Sequence, residues 1–107
     1  MMTAADILRA ARKKISDPAR WTRNYFARDK DGIPVSAISP DAVCWCARGA
    51  IDAVDHDGDQ WDAVDFLRRA VCEQVGDRKI AAFNDATQYS NVIAAFDRAI
   101  DLAEGRS

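Results

Sequence analysis

The sequence predicts a mainly α-helical protein, a compact bundle of about four helices with a short β-hairpin between the first and second. Three observations predict it. Twenty of the 107 residues are alanine, the strongest helix former. Apolar residues recur at helical spacing in four separate stretches. The alternation of strands and helices that a parallel sheet requires is absent. The length fits one domain over residues 1–107, with enough surface to bury for a core that needs no staples.

The elements follow in order. Thr3-Ala4-Ala5-Asp6 has the pattern of a capped helix start, a hydroxyl with an acid three residues on. Ile7, Leu8, Ala11 and Ile15 then form an apolar stripe, and Ser16-Asp17-Pro18 stops the helix. Asn24-Tyr25-Phe26-Ala27-Arg28 reads as a strand, Asp29-Lys30-Asp31-Gly32 as a turn and Ile33-Pro34-Val35 as the return strand. Pro34 confines that return strand to a sheet edge. Ser39-Pro40-Asp41 reads as a cap with proline at the first helical position, opening a second helix from about Pro40 to Val54. Its stripe is Val43, Ala47, Ala50 and Val54, with Cys46 beside it, and Asp55-His56-Asp57-Gly58 ends it. A third helix opens at Asp59-Gln60-Trp61-Asp62. Trp61, Val64, Leu67, Val71 and Val75 line it, Phe66 and Ala70 widen the stripe, and Gly76-Asp77 closes it. The link from Lys79 to Asp85 is ambiguous and has room for one helical turn. Ser90 caps a fourth helix with a stripe of Ile93, Phe96, Ala99, Ile100 and Ala103, ending at Gly105.

Composition narrows the class. Apolar residues make up 49% and charged residues 30%, the balance of a soluble globular protein. The net charge of -2 is unevenly spread. Residues 1–30 carry eight Lys/Arg and three Asp/Glu, and the rest carries seven and fourteen. A basic first segment can attract nucleic acid, but such domains are usually basic overall. Complementary basic and acidic faces within one domain, or across a dimer, are the preferred reading. Three cysteines, no secretory leader at Met1-Met2-Thr3 and no long apolar run point to a cytoplasmic protein with free thiols and no membrane span.

The chemistry that the residues offer is thin. Cys44 and Cys46 are spaced Cys-x-Cys, where zinc sites usually use Cys-x-x-Cys. On a continuous helix the two point nearly opposite ways and cannot share an ion. Cys72 and His56 would have to complete any shell, so no metal is expected. Asp55-His56-Asp57-Gly58-Asp59 fails as a calcium loop, because glycine falls at position four and Phe66 stands where a bidentate glutamate is needed. His56 is the single histidine, and a continuous helix through residue 54 holds it about 15 Å from Cys46, which excludes that dyad unless the helix breaks and leaves Cys72 with His56 open. The five glycines stand apart, so no phosphate loop exists. Gly49 alone lies inside a helix, where it costs about 1 kcal/mol relative to alanine. Close approach of another helix or an aromatic ring would account for it. Arg20-Trp21-Thr22-Arg23-Asn24-Tyr25-Phe26 interleaves cations with aromatics, which suits base stacking, though packing of the same aromatics is the plainer reading.

Trp45-Cys46-Ala47-Arg48-Gly49-Ala50 and Phe83-Asn84-Asp85 resemble an uncharacterised family of small bacterial and phage-associated proteins, one of the domains of unknown function. Trp21, Asp31-Gly32 and Asp97-Arg98-Ala99 fit the same pattern, and Phe83 departs from it where tryptophan is usual. The resemblance implies no activity, cofactor or partner. It does gather Trp45, Cys46 and Gly49 into one neighbourhood with Asn84 and Asp85, a polar pair beside a thiol. The plainer reading is that Asp85 caps the next helical segment, Asn84 bonds loop backbone and Phe83 anchors the link to the core.

The candidate binding residues are therefore Trp21, Trp45, Cys46, Arg48, Asn84 and Asp85. The preferred function is a small binding or protein-interaction module without catalysis, acting on a protein partner or a second copy. One alternative is a small hydrolase or transferase built on Cys46, Arg48, Asn84 and Asp85. Another is nucleic-acid binding through the basic first helix and Trp21. No cofactor is expected.

Overall fold

The computed structural model describes residues 3–55 and 60–105. His56, Gly58 and the cap expected at Asp59 lie outside the described residues. In order the chain forms α1 (Ala4–Lys14), a single 3-10 turn (Pro18–Arg20), β1 (Ala27–Arg28), β2 (Pro34–Val35), β3 (Cys44–Trp45), α2 (Ala47–Val54), α3 (Gln60–Val75), α4 (Ile80–Ala86) and α5 (Tyr89–Ala103). The fold is mainly helical with a small three-stranded antiparallel sheet. Among the described residues there are five helices, not about four, because the ambiguous link is a two-turn helix of its own.

α1 starts as its sequence demands. The Asp6 amide donates to Thr3 Oγ1 at 3.1 Å, and the Thr3 amide donates to Asp6 Oδ2 at 3.2 Å, a reciprocal capping box. Ile7, Leu8, Ala11 and Ile15 are all buried. Each large apolar side chain withdrawn from water in this way stabilises the fold by about 1.5–3 kcal/mol. α5 lies along α3 and α1, α1 also meets α2 and α3, and α4 bridges α2 and α3. Val64, Leu67, Ala70 and Val71 from α3 meet Val92, Ala95, Phe96 and Ala99 from α5 in one core. Two members of the expected α3 stripe, Trp61 and Val75, are exposed instead. They sit in the first and last turns of α3, where the Arg48 guanidinium lies 5.3 Å over the Trp61 ring. α5 is not capped by Ser90. Gln88 is its cap residue and gives no side-chain bond, while Ser90 lies inside the first turn.

The second helix corrects the sequence reading most. It begins at Ala47, seven residues after Pro40. Ser39-Pro40-Asp41-Ala42 is a turn: the Ala42 amide donates to Ser39 O at 3.1 Å and the Asp41 amide to Ser39 Oγ at 3.2 Å. Pro at a helix start and Pro inside a turn share one backbone φ, so the local signal is the same for both. Tertiary pairing decides. Ala27 pairs with Trp45 and Arg28 with Cys44, while the Val43 amide donates to Arg28 O and the Cys46 amide to Phe26 O. Cys and Trp are indifferent helix formers, and tryptophan suits a pleated strand. Val43, expected on the buried stripe, is exposed.

The hairpin turns at the expected Asp29–Gly32, with strands shorter than predicted. Ala27 faces Val35 and Arg28 faces Pro34. The sheet order is β2-β1-β3, so Pro34 does lie on an edge strand. Asp29 Oδ1 accepts from the amides of Asp31 and Ile33, and Gly32 adopts φ +80°.

Candidate functional site

The sheet and α2 meet at Gly49. A Cβ placed there would lie 2.0 Å from the Phe26 carbonyl oxygen. Glycine is required because the backbone just before β1, rather than a helix or a ring, presses against α2 at this point. The same Phe26 carbonyl accepts the Cys46 amide at 3.1 Å. This contact fixes Cys46 as the residue that caps α2.

The Cys46 Sγ accepts from the Gly49 amide at 3.2 Å, taking a donor that the helix itself leaves unpaired. The next donor, the Ala47 amide, is taken by a residue from α4: Asn84 Oδ1 accepts it at 3.0 Å. Asn84 is fully buried. Its Oδ1 also accepts from Trp21 Nε1 at 2.7 Å, and its Nδ2 donates to Thr22 O at 3.0 Å and Asp85 Oδ1 at 3.2 Å. One amide side chain thus satisfies the start of α2, the indole of Trp21 and the backbone of the loop before β1. Every buried side-chain N or O among the described residues is satisfied.

Asp85 completes the joint from its exposed side. Its Oδ1 accepts from the Asn24 amide at 2.7 Å, and Asn24 adopts φ +74°, a left-handed conformation that asparagine tolerates. Asp85 is therefore not the cap of a following helical segment; it sits within α4 and holds a loop 61 residues upstream. Asn84 does bond loop backbone, and Phe83 is buried in the core.

Trp21 and Trp45 join the same region through the backbone. The Thr22 amide donates to Trp45 O at 3.0 Å, and Trp21 bridges Trp45 in parallel. The Trp45 indole donates to Ala37 O at 3.0 Å, and Lys14 lies 4.5 Å over its ring. Trp21 packs 5.7 Å from Tyr89, under the Arg23 guanidinium. Tyr89 in turn donates to Ile15 O at 2.6 Å. Tyr89, Thr22 and Asn24 belong to this joint, and sequence reasoning missed them. A tyrosine at a helix start carries no local mark that its hydroxyl reaches a carbonyl 74 residues away.

Trp21, Cys46, Asn84 and Asp85 thus come together. Arg48 does not join them. It pairs with Asp52 at 3.3 Å and lies 5.3 Å over the Trp61 ring. Cys44, in β3, and Cys46 sit on extended chain rather than on a helix, and the Cys44 Sγ is 3.9 Å from Arg28 O. All three thiols are free. Burial pushes the Cys46 thiol above the ordinary value of 9.0, reinforced by the carboxylates of Asp85 and Asp52 and opposed by the amides of Gly49 and Arg48. Such a thiol is held protonated and unreactive at neutral pH. Among the described residues no group of His, Cys, Asp or Glu is arranged to hold a metal ion; pairings with His56 lie outside them.

The basic face of α1 is met by α5. Arg12 binds Asp97 with its Nε at 2.6 Å, and Arg9 binds Glu104 and Asp6. No helix among the described residues is long and apolar enough to cross a membrane.

A family of unknown function, DUF6197, matches the chain over residues 1–102. The chain belongs to that family. No curated protein and no solved structure matches it. The family assigns no activity, so function has to be argued from the surfaces that surround the Asn84 joint.

Two concave surfaces among the described residues meet at Phe26 and Ala81. A cleft of about 260 Å³ is lined by Asn24, Tyr25, Phe26, Cys46, Ala81 and Asp85. A groove of about 490 Å³ shares Phe26 and Ala81 with it and is walled by Arg48, Arg68, Arg78 and Lys79. Tyr25 and Phe26 are 49% and 54% exposed, a large apolar area to leave in water beside a concavity.

Proposed function

We propose that this protein is a small cytoplasmic binding module that recognises a protein partner at the Phe26 face and performs no catalysis. The observation that carries the reading is the contrast between two neighbouring layers. Underneath, Asn84 is saturated by Trp21, Thr22, Ala47 and Asp85, which makes it a structural joint rather than a waiting site. Above it, Tyr25 and Phe26 are about half exposed beside a cleft, with the Arg28 guanidinium 4.6 Å over the Tyr25 ring and Phe26 open to solvent. Three free thiols fit a reducing compartment. The bacterial and phage-associated setting that the resemblance implies belongs to the same proposal.

One observation favours the enzyme reading: Cys46 and Asp85 line the same cleft. Against it, Cys46 is 6% exposed, its sulfur is engaged by the Gly49 amide and its acidity is suppressed. Nucleic-acid binding through α1 and Trp21 has less support. The α1 arginines are paired, and the Trp21 ring is held by Asn84 and Tyr89 rather than free to stack a base.

Two measurements test the proposal. Iodoacetamide on the native chain, mapped by mass spectrometry, should modify Cys44 and Cys72 well before Cys46; rapid modification of Cys46 would restore the enzyme reading. A library of displayed dodecapeptides panned on the full chain should yield binders that the Phe26→Ser variant loses. Retention of no peptide above background, or binders indifferent to Phe26→Ser, would remove the binding reading.

A further inference from the structure

The groove and the cleft differ in chemistry, and that difference specifies an occupant. The cleft is lined by Tyr25, Phe26, Cys46 and Ala81, with Asn24 and Asp85 as its polar members, a mainly apolar recess sized for one large side chain. The groove that opens from it across Phe26 carries four cations. This is a local concentration, because the chain as a whole has net charge -2. Arg48 and Arg68 are already paired, with Asp52 at 3.3 Å and Asp65 at 3.2 Å. Arg78 and Lys79 are exposed and have no ion-pair partner among the described residues; the nearby Asp77 carboxylate is engaged by the Lys79 backbone amide at 3.0 Å. Two cations without an ion-pair partner among the described residues therefore stand next to the cleft.

From this juxtaposition, and resting on the binding reading above, we infer that the partner is an acidic peptide segment carrying one large apolar anchor. The anchor enters the cleft against Phe26, and carboxylates beside it meet Arg78 and Lys79. A nucleic-acid strand fits less well. Its evenly spaced phosphates would run past Asp85 at the cleft and past Asp52 and Asp65, which hold the groove's arginines. A peptide can place its charges only where the cations are. Electrostatic matching of this kind chiefly speeds association and sets specificity, while the anchor supplies the affinity.

The test reads the composition of the peptides selected on the full chain. The expected outcome is enrichment of a large apolar residue flanked by aspartate or glutamate. Synthetic copies of the enriched peptide should bind about tenfold or more weakly to the double variant Arg78→Glu/Lys79→Glu, and more weakly as salt rises. Both side chains are exposed, so the double variant should keep the wild-type circular dichroism and melting temperature. Peptides that depend on Phe26 but lack acidic residues would overturn this inference and leave the binding reading standing. Affinity unchanged by the charge reversal would overturn it as well. An oligothymidylate strand that binds more tightly than the peptides and displaces them would assign the groove to nucleic acid instead.

Discussion

Replacing Asn84 by alanine removes four hydrogen bonds at once, and the structure says what each loss costs. The Ala47 amide is buried and has no other acceptor as the first donor of α2. A buried donor without a partner costs about 1–3 kcal/mol. The Trp21 indole and the Thr22 carbonyl are only partly buried, so water recovers part of what they lose. Together the change should destabilise the protein by about 3–4 kcal/mol, a large share of the roughly 5–15 kcal/mol that holds a domain of this size. At about 4–8 °C per kcal/mol, the melting temperature should fall by about 12–30 °C. Urea unfolding followed by far-ultraviolet circular dichroism measures the loss. Trp21→Phe supplies the control, since it removes the indole donor and leaves Asn84 to its other partners. If the joint is as described, the double variant should lose less than the sum of the singles by about 0.5–3 kcal/mol. A loss below about 1 kcal/mol for Asn84→Ala, or strict additivity in the cycle, would refute the account of Asn84 as the shared partner.

Two further perturbations follow from the same region. Gly49→Ala places a methyl group 2.0 Å from the Phe26 carbonyl, and backbone cannot step aside as a side chain can; the expected cost is about 3 kcal/mol or more, read by urea unfolding, and a stable variant would contradict the close approach. Cys46 titrates above 9.0 in the folded chain, so below pH 9 both folded and unfolded forms are protonated and its contribution is intact. As pH rises past 9 the unfolded thiol ionises first and stability falls. Cys46→Ser, which keeps an acceptor for the Gly49 amide, should flatten that alkaline decline relative to wild type; identical slopes would show that the thiol is not perturbed by folding.

The helices that make the core were legible because their signals are local. α1 carries its capping box and stripe between Thr3 and Ile15, and every stripe position is buried. α5 was legible for the same reason, apart from its start and from Val92 and Ala95, buried residues that the expected stripe left out, while Ile93, Ile100 and Ala103 are only partly buried. The start of α2 was not, because Ser39-Pro40-Asp41 satisfies the requirements of a turn and of a helix equally well. What decides is the pairing of Cys44 and Trp45 with β1, which no window around residue 40 contains. Gly49 shows the halfway case. Its cost inside a helix announced a close approach, but the identity of the approaching group, the Phe26 backbone, was not encoded nearby. At the candidate site, Asn84 and Asp85 stood out by resemblance. Their roles were hidden because their main partners lie 37 to 63 residues away. Arg48 was grouped with them by sequence adjacency to Cys46, yet one helical turn swings it towards Asp52 and Trp61.

The stretch between α1 and α2 has only three two-residue strands, so ladder pairing secures little of its main chain. Its peptide groups are held instead by functional-group tethers: Arg28 to Gly32 O and Arg23 O, Arg23 to Thr87 O, Asp29 to two amides, Asp85 to Asn24. Tolerance to substitution should therefore be inverted between the two parts of the molecule. Along the helices, apart from Asn84 and Asp85, oily positions are the fragile ones and exposed hydrophilic ones drift freely. Along this strap, an exchange such as Arg28→Lys or Asp29→Ala does the damage, while Ile33 or Ile38, both more than half exposed, can change with little consequence.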